Sequence, residues 1–137
     1  MSVHLHVRSC YTLLQSTLNV EHIVGAAKRH GFTSVALTDK HVLHGAMAFY
    51  HACRKENIHP IIGMEVDIIE NETVIGLILL AKNDKGYKKL MQLSTLLNTN
   101  RKKHLFSVED VSEYTQDCVV LTAGGQDELE SWLIKEE

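Results

Sequence analysis

The sequence has no excess of positive charge. Its 14 Lys and Arg residues are outnumbered by 17 Asp and Glu residues, so the 137 residues carry a formal charge of -3. Proteins that bind nucleic acid without sequence preference rely on clustered positive charge to neutralise backbone phosphates. Bulk charge therefore does not indicate such a protein. The length and the hydrophobic content of 45% instead predict one globular unit with a continuous core.

Motifs that mark several other protein classes are also missing. The three cysteines, Cys10, Cys53 and Cys118, form no CxxC or CxxH pair that would hold zinc. No run approaches the roughly 18 apolar residues of a membrane span, and the first residues do not resemble a secretion signal. There is no Walker loop, GxGxxG fingerprint or Ser-His-Asp elbow. We therefore expect a cytoplasmic protein with reduced thiols and no membrane partner.

Hydrophobic periodicity predicts strands that alternate with helices. Short apolar or alternating runs predict strands, and apolar residues three and four apart predict helices. The expected strands are residues 3–7, 34–38, 61–69, 73–81 and 117–122, and the expected helices are residues 20–30, 45–57, 86–98 and 127–135. Residues 70–72 make a turn that joins the third and fourth strands as a hairpin, and Ser107 with Asp110 forms a capping box. Since parallel neighbours need crossover helices, this order predicts an α/β fold with a mostly parallel sheet.

Polar residues collect at or near the ends of three predicted strands. His4, His6 and Arg8 alternate along the first strand and share one face, the residues Asp39, Lys40 and His41 follow the second, and Glu65 lies in the third. Ligands of α/β proteins gather at the carboxyl ends of parallel strands. Imidazole nitrogens and carboxylate oxygens suit a divalent metal. The alternative is that a surface strand carries two histidines with no common ligand.

Three ordered segments carry a resemblance to a known family. They are HLHVRSCYTLLQS, then ALTDKHVLHGAMAFYHAC, then HPIIGMEV. Together they resemble the PHP domain that begins the bacterial DNA polymerase III alpha subunit, and the resemblance covers at least residues 3–97. It implies a distorted (β/α)7 TIM-like barrel with a metal cluster at its strand ends. A whole PHP domain is nearly twice this long, so residues 1–137 are expected to be its incomplete amino-terminal portion.

Departures from the family pattern predict a degenerate metal site. The resemblance implies metal ligands at His6 and Glu65, and Asp39 also matches the family pattern. His4 is expected to support the site and not to bind metal. Arg8, Gln15 and Lys40 stand where the family pattern has ligand or acidic residues. Two cations in the pocket would repel a divalent ion. His41 could substitute for the ligand lost at Lys40, but adjacent residues normally face different ways.

The resulting hypothesis is that this chain has a structural role and not a catalytic one. The chain is expected to support the polymerase core of its own full-length protein, whose magnesium-binding carboxylates lie elsewhere and whose partners are DNA and other replisome subunits. We expect no tightly bound cofactor here, with residual zinc or manganese as the alternative, and no hydrolytic turnover. We also expect the strand at residues 117–122 to have an unpaired edge that favours self-association.

Two other functions remain open from the sequence. The first is a free-standing, metal-dependent PHP-superfamily phosphoesterase related to histidinol phosphatase, in which His6, Asp39 and Glu65 would hold metals. The second is a binding module that uses the basic run at residues 101–104. A basic run of this length is more often an exposed, solvated loop.

Overall fold

The computed structural model describes residues 3–9, 19–99 and 106–123. The helices are α1 (Val20–Arg29), α2 (Ala46–Lys55), α3 (Asp84–Thr99) and α4 (Val108–Ser112), and the strands are β1 (Ser34–Lys40), β2 (His59–Glu70), β3 (Thr73–Ala81) and β4 (Cys118–Thr122). The predicted elements within these residues are present with small shifts of their ends, apart from residues 3–7. The predicted helix at 127–135, the basic run at 101–104 and Gln15 lie outside the described residues. Among those described, no helix has the length and hydrophobicity to cross a membrane.

The four strands form one sheet in the order β1-β2-β3-β4. Of the strands in the described residues, only β1 and β2 pair in parallel, whereas β2 with β3 and β3 with β4 pair antiparallel. The prediction of a mostly parallel sheet is therefore wrong for the described strands. One antiparallel pair, β3 with β4, forms although α3 and α4 separate these strands in the chain. The other results from the tight hairpin between β2 and β3, in which Asn71 and Glu72 both adopt a positive φ, 48° and 64°. Such turns join only antiparallel neighbours.

The amino-terminal segment, residues 3–9, runs beside β1 without forming a regular strand. His4 makes one parallel bridge to Val35, and its carbonyl accepts from the Ala36 N–H at 3.0 Å. The next bond joins the Thr38 N–H to the Val7 carbonyl at 2.8 Å, so the segment advances three residues while β1 advances two. This extra residue behaves as a bulge and changes which side chains share a face. His4 consequently packs edge-on against Phe32, with ring centroids 5.0 Å apart.

The four helices of the described residues pack on one face of the sheet. Helix α1 begins at the Asn19 cap and buries an apolar stripe, and with α2 it covers β1 through a cluster that includes Val24, Leu37 and Phe49. Helices α3 and α4 cover β2 and β3 through a second cluster that includes Leu79 and Leu90. The predicted capping box of Ser107 and Asp110 begins α4. The opposite face carries a third cluster and, farther along β1 and β2, the charged residues described next.

Candidate functional site

Two chain segments meet at one buried carboxylate. Glu65 lies in β2 on the face opposite the described helices, and its side chain is 5% exposed. The Arg8 guanidinium donates from Nε to Oε2 at 2.7 Å and from Nη2 to Oε1 at 2.6 Å. His6 Nε2 donates to Oε2 at 3.0 Å. The structure therefore brings together His6 and Glu65, both expected as ligands, and places the arginine in the same site.

A second ion pair lies beside the first. Lys40 ends β1 in register with Glu65, and its Nζ lies 2.6 Å from Oδ2 of Asp67. Asp67 follows Glu65 by two residues and so points to the same face of β2. Gly76 of β3 lies opposite Asp67, and a Cβ atom built there would be 3.7 Å from both Asp67 Oδ1 and Glu65 Oε1. The two carboxylates are neighbours, and each has a cation of its own.

Asp39 points away from this pair of carboxylates. It is in register with Met64 rather than Glu65, so its side chain lies on the face of the sheet that packs the helices. The residue is 2% exposed, and its carboxylate accepts from the Ser9 backbone N–H at 2.5 Å and from the Ser9 hydroxyl at 2.6 Å. Asp39 therefore holds the end of the amino-terminal segment against β1, on the other side of the sheet from His6 and Glu65.

His41 has a structural task that uses its metal-binding lone pair. The residue adopts a left-handed φ of 60°, and its N–H donates to the Glu65 carbonyl at 2.8 Å. Its Nε2 accepts from the Asp67 backbone N–H at 3.2 Å. Burial lowers the pKa of His41; the nearby Asp67 carboxylate opposes this effect and Lys40 adds to it. Since a nitrogen that accepts a hydrogen bond has no lone pair left for a metal, His41 does not replace the missing ligand.

Sequence reasoning missed two residues of this site. Asp67 carried a signal, because it is a second charge two positions after Glu65 in a strand that is otherwise almost entirely apolar. Ser9 carried none, since its contact with Asp39 depends on the path of the segment across β1. His4, expected to support the site, lies against Phe32 instead.

The described side chains do not fit a divalent metal. The Glu65 and Asp67 carboxylates are bound by cations, and Asp39 accepts two hydrogen bonds on the other face. A metal at Glu65 would have to displace the Arg8 guanidinium or lie beside it, at a high electrostatic cost. Within residues 3–9, 19–99 and 106–123, no group of three or more His, Cys, Asp or Glu side chains is arranged to hold an ion.

Comparison with known proteins identifies the family. The protein-family model of the PHP domain matches residues 4–137 of the sequence. The chain belongs to the PHP domain family. It is 37% identical over 134 residues to the DNA polymerase III subunit alpha of Bacillus subtilis, covering 96% of this chain and 12% of that protein. It is 39% identical over 128 residues to the subunit of the same name from Halalkalibacterium halodurans, covering 90% of this chain and 12% of that protein.

The fold also matches a solved structure. An amidohydrolase from Chromobacterium violaceum superposes with a TM-score of 0.61 at 18% identity, over 72% of this chain and 34% of that one. This likeness concerns the fold alone, and it agrees with the expected part of a TIM-like barrel. The resemblance to the PHP region of polymerase III alpha and the α/β fold are thus confirmed. The chain spans about an eighth of the length of the two polymerase subunits named above.

Proposed function

We propose that this chain is the amino-terminal portion of the PHP domain of a bacterial replicative DNA polymerase, and that its role there is structural. The observation that carries the structural role is the Arg8 guanidinium bound to Glu65. Metal-assisted hydrolysis needs an ion that activates a water molecule and stabilises the leaving oxygen. The two neighbouring carboxylates of this site are already paired with an arginine and a lysine, so they are poor ligands for such an ion.

The parent protein would supply the chemistry. In this proposal it extends a primer along a DNA template in the cytoplasm, using magnesium bound by carboxylates outside this chain. The partners of the PHP region would be the polymerase core of the same polypeptide and, through it, DNA and the other replisome subunits. The identity of 37% over nearly the whole chain to a polymerase subunit supports this context over that of a free-standing phosphoesterase.

The first test is the coding sequence that follows the codon for Glu137. A continuation into a polymerase active site, with magnesium-dependent primer extension by the purified full-length product, is the expected result. A reading frame that stops shortly afterwards would contradict the polymerase assignment and favour the phosphoesterase.

The second test concerns hydrolysis. The purified chain is incubated with 3′-labelled single-stranded DNA and with p-nitrophenyl phosphate, in the presence of manganese, zinc or magnesium. We expect no turnover above that of a Glu65→Gln variant, whose carboxylate is replaced by an amide of the same shape. Turnover that Glu65→Gln abolishes would show that the site is catalytic and would refute the structural role.

A further inference from the structure

We propose that Arg8 and Lys40 are a built-in replacement for a divalent cation, and that they hold the amino-terminal segment, β1 and β2 together without metal. This inference rests on the geometry of the charged residues and not on the polymerase assignment. It would stand even if the parent protein had another activity, and the experiments below separate the two.

The negative charges of this site lie close together. Glu65 and Asp67 lie two residues apart on one face of β2, and the missing side chain of Gly76 leaves both carboxylates room above β3. Like charges at such spacing repel each other, and burial makes the repulsion stronger than in water. A site of this kind needs about two positive charges to be neutral, whatever their source.

The matching positive charges come from two side chains. One comes from Arg8 in the amino-terminal segment and one from Lys40 at the end of β1, so these two carboxylates are bound to different parts of the chain. A metal ion would make the same cross-links through its ligands. The two side chains thus supply both the charge and the connectivity of a bound divalent ion.

The two cations differ in type, and each suits the exposure of the carboxylate that it binds. Glu65 is nearly buried, and it receives the planar guanidinium, which donates to both of its oxygens. Asp67 is 24% exposed in its side chain and receives the compact ammonium of Lys40. Forked donors suit buried carboxylates, and a lysine acts as a point charge. Each cation therefore matches the environment of its partner.

The test compares the chain with an Arg8→His/Lys40→His variant, which removes both fixed charges and adds two imidazoles near Glu65 and Asp67. Melting temperatures are measured in EDTA and with zinc chloride, and bound metal is counted by elemental analysis. For the unmodified chain we expect the same melting temperature in both buffers, within about 1 °C. The double variant should melt several degrees lower in EDTA and recover by about 5 °C or more with zinc.

Two controls make the result specific, and single variants provide an alternative. An Arg29→His/Lys85→His variant adds one exposed histidine to each of α1 and α3 and should show no zinc-dependent recovery. Adding Glu65→Gln to the double variant should abolish the recovery. Should the double variant not fold in either buffer, single Arg8→His and Lys40→His variants replace it, and each must melt lower than the unmodified chain in EDTA.

Either of two outcomes would overturn the inference. The first is stoichiometric metal in the unmodified chain, lost in a His6→Ala variant, with a melting temperature that falls in EDTA. The second is an Arg8→His/Lys40→His variant that is as stable in EDTA as the unmodified chain. Neither outcome depends on whether the full-length protein extends primers.

Discussion

The buried contact between Ser9 and Asp39 gives a quantitative test of how the amino-terminal segment is held against β1. Replacing Ser9 by alanine removes the hydroxyl that donates to Asp39 Oδ2 at 2.6 Å and leaves the backbone contact in place. A hydrogen bond to a charged group contributes about 1.5–3 kcal/mol to stability, and the 2% exposure of Asp39 allows water little access to the vacated position. We expect a loss of about 2 kcal/mol in the free energy of unfolding.

This loss converts to a shift that is easy to measure. An unfolding entropy of about 2.1 cal/mol/K per residue gives about 0.3 kcal/mol/K for 137 residues, so the melting temperature should fall by about 7 °C. The matched control is Ser112→Ala, because the Ser112 hydroxyl donates to the Glu109 carbonyl on the exposed surface of α4. That variant should melt within about 1 °C of the unmodified chain.

A double-mutant cycle completes the measurement. Ser9→Ala and Asp39→Asn are combined, and unfolding by urea is followed for all four proteins. A coupling energy of about 1 kcal/mol or more is expected for two groups in direct contact. If Ser9→Ala melts like Ser112→Ala and the coupling is near zero, the contact with Asp39 does not hold the amino-terminal segment in place, and the expected loss of stability is wrong.

Three further predictions follow from other parts of the fold. The pKa of His41 is lowered from 6.5, so the stability that its neutral, hydrogen-bonded ring contributes should be complete above about pH 6.5 and lost as the pH falls through the lowered value. When the free energy of unfolding is measured with urea between pH 5 and pH 8, it should change less with pH in His41→Asn, which keeps a hydrogen-bond acceptor, than in the unmodified chain. A Cβ atom on Gly63 would lie 2.5 Å from the Leu79 carbonyl oxygen, so Gly63→Ala should lower the free energy of unfolding by about 1–3 kcal/mol. The control is Gly25→Ala in α1, where the nearest atom would be 3.6 Å away, and thermal melting should show it to be neutral or stabilising. Among the described residues no strand covers the outer edge of β4, where Val120 is 45% exposed, so sedimentation should reveal self-association that Val120→Lys weakens; a monomer at all concentrations would contradict this.

Local signals in the sequence predicted most of the secondary structure. The Asn19 cap and the apolar spacing after it are sufficient to begin α1, and the capping box of Ser107 and Asp110 needs only residues within one turn. The turn at Asn71 and Glu72 predicted the hairpin for the same reason. The direction of the remaining strands could not be predicted in this way. It depends on which strands become neighbours. The hairpin accounts for the antiparallel pair of β2 and β3, but β4 pairs antiparallel with β3 although α3 and α4 separate the two strands in the chain.

The candidate site was predictable in part. His6, Arg8 and Glu65 could be identified from the sequence because the family pattern indicates which segments converge. The structure brings these three side chains into contact. Asp39 was grouped with them although its side chain lies on the other face. A difference of one residue in register exchanges the two faces of a strand, and no local signal decides between Asp39 and Lys40. Asp67 was overlooked because its importance depends on the contact with Lys40.

The left-handed conformation of His41 has a consequence for how the molecule opens. With its ring bound to the Asp67 N–H, its carbonyl turns toward α3 and accepts from Ser94 Oγ at 3.1 Å and Asn98 Nδ2 at 2.8 Å. One residue thereby joins the end of β1, the middle of β2 and the last turns of a helix. Local opening of α3 would release all three together, so the Asp67 amide should exchange its hydrogen with solvent at the same rate as the amides at the end of that helix.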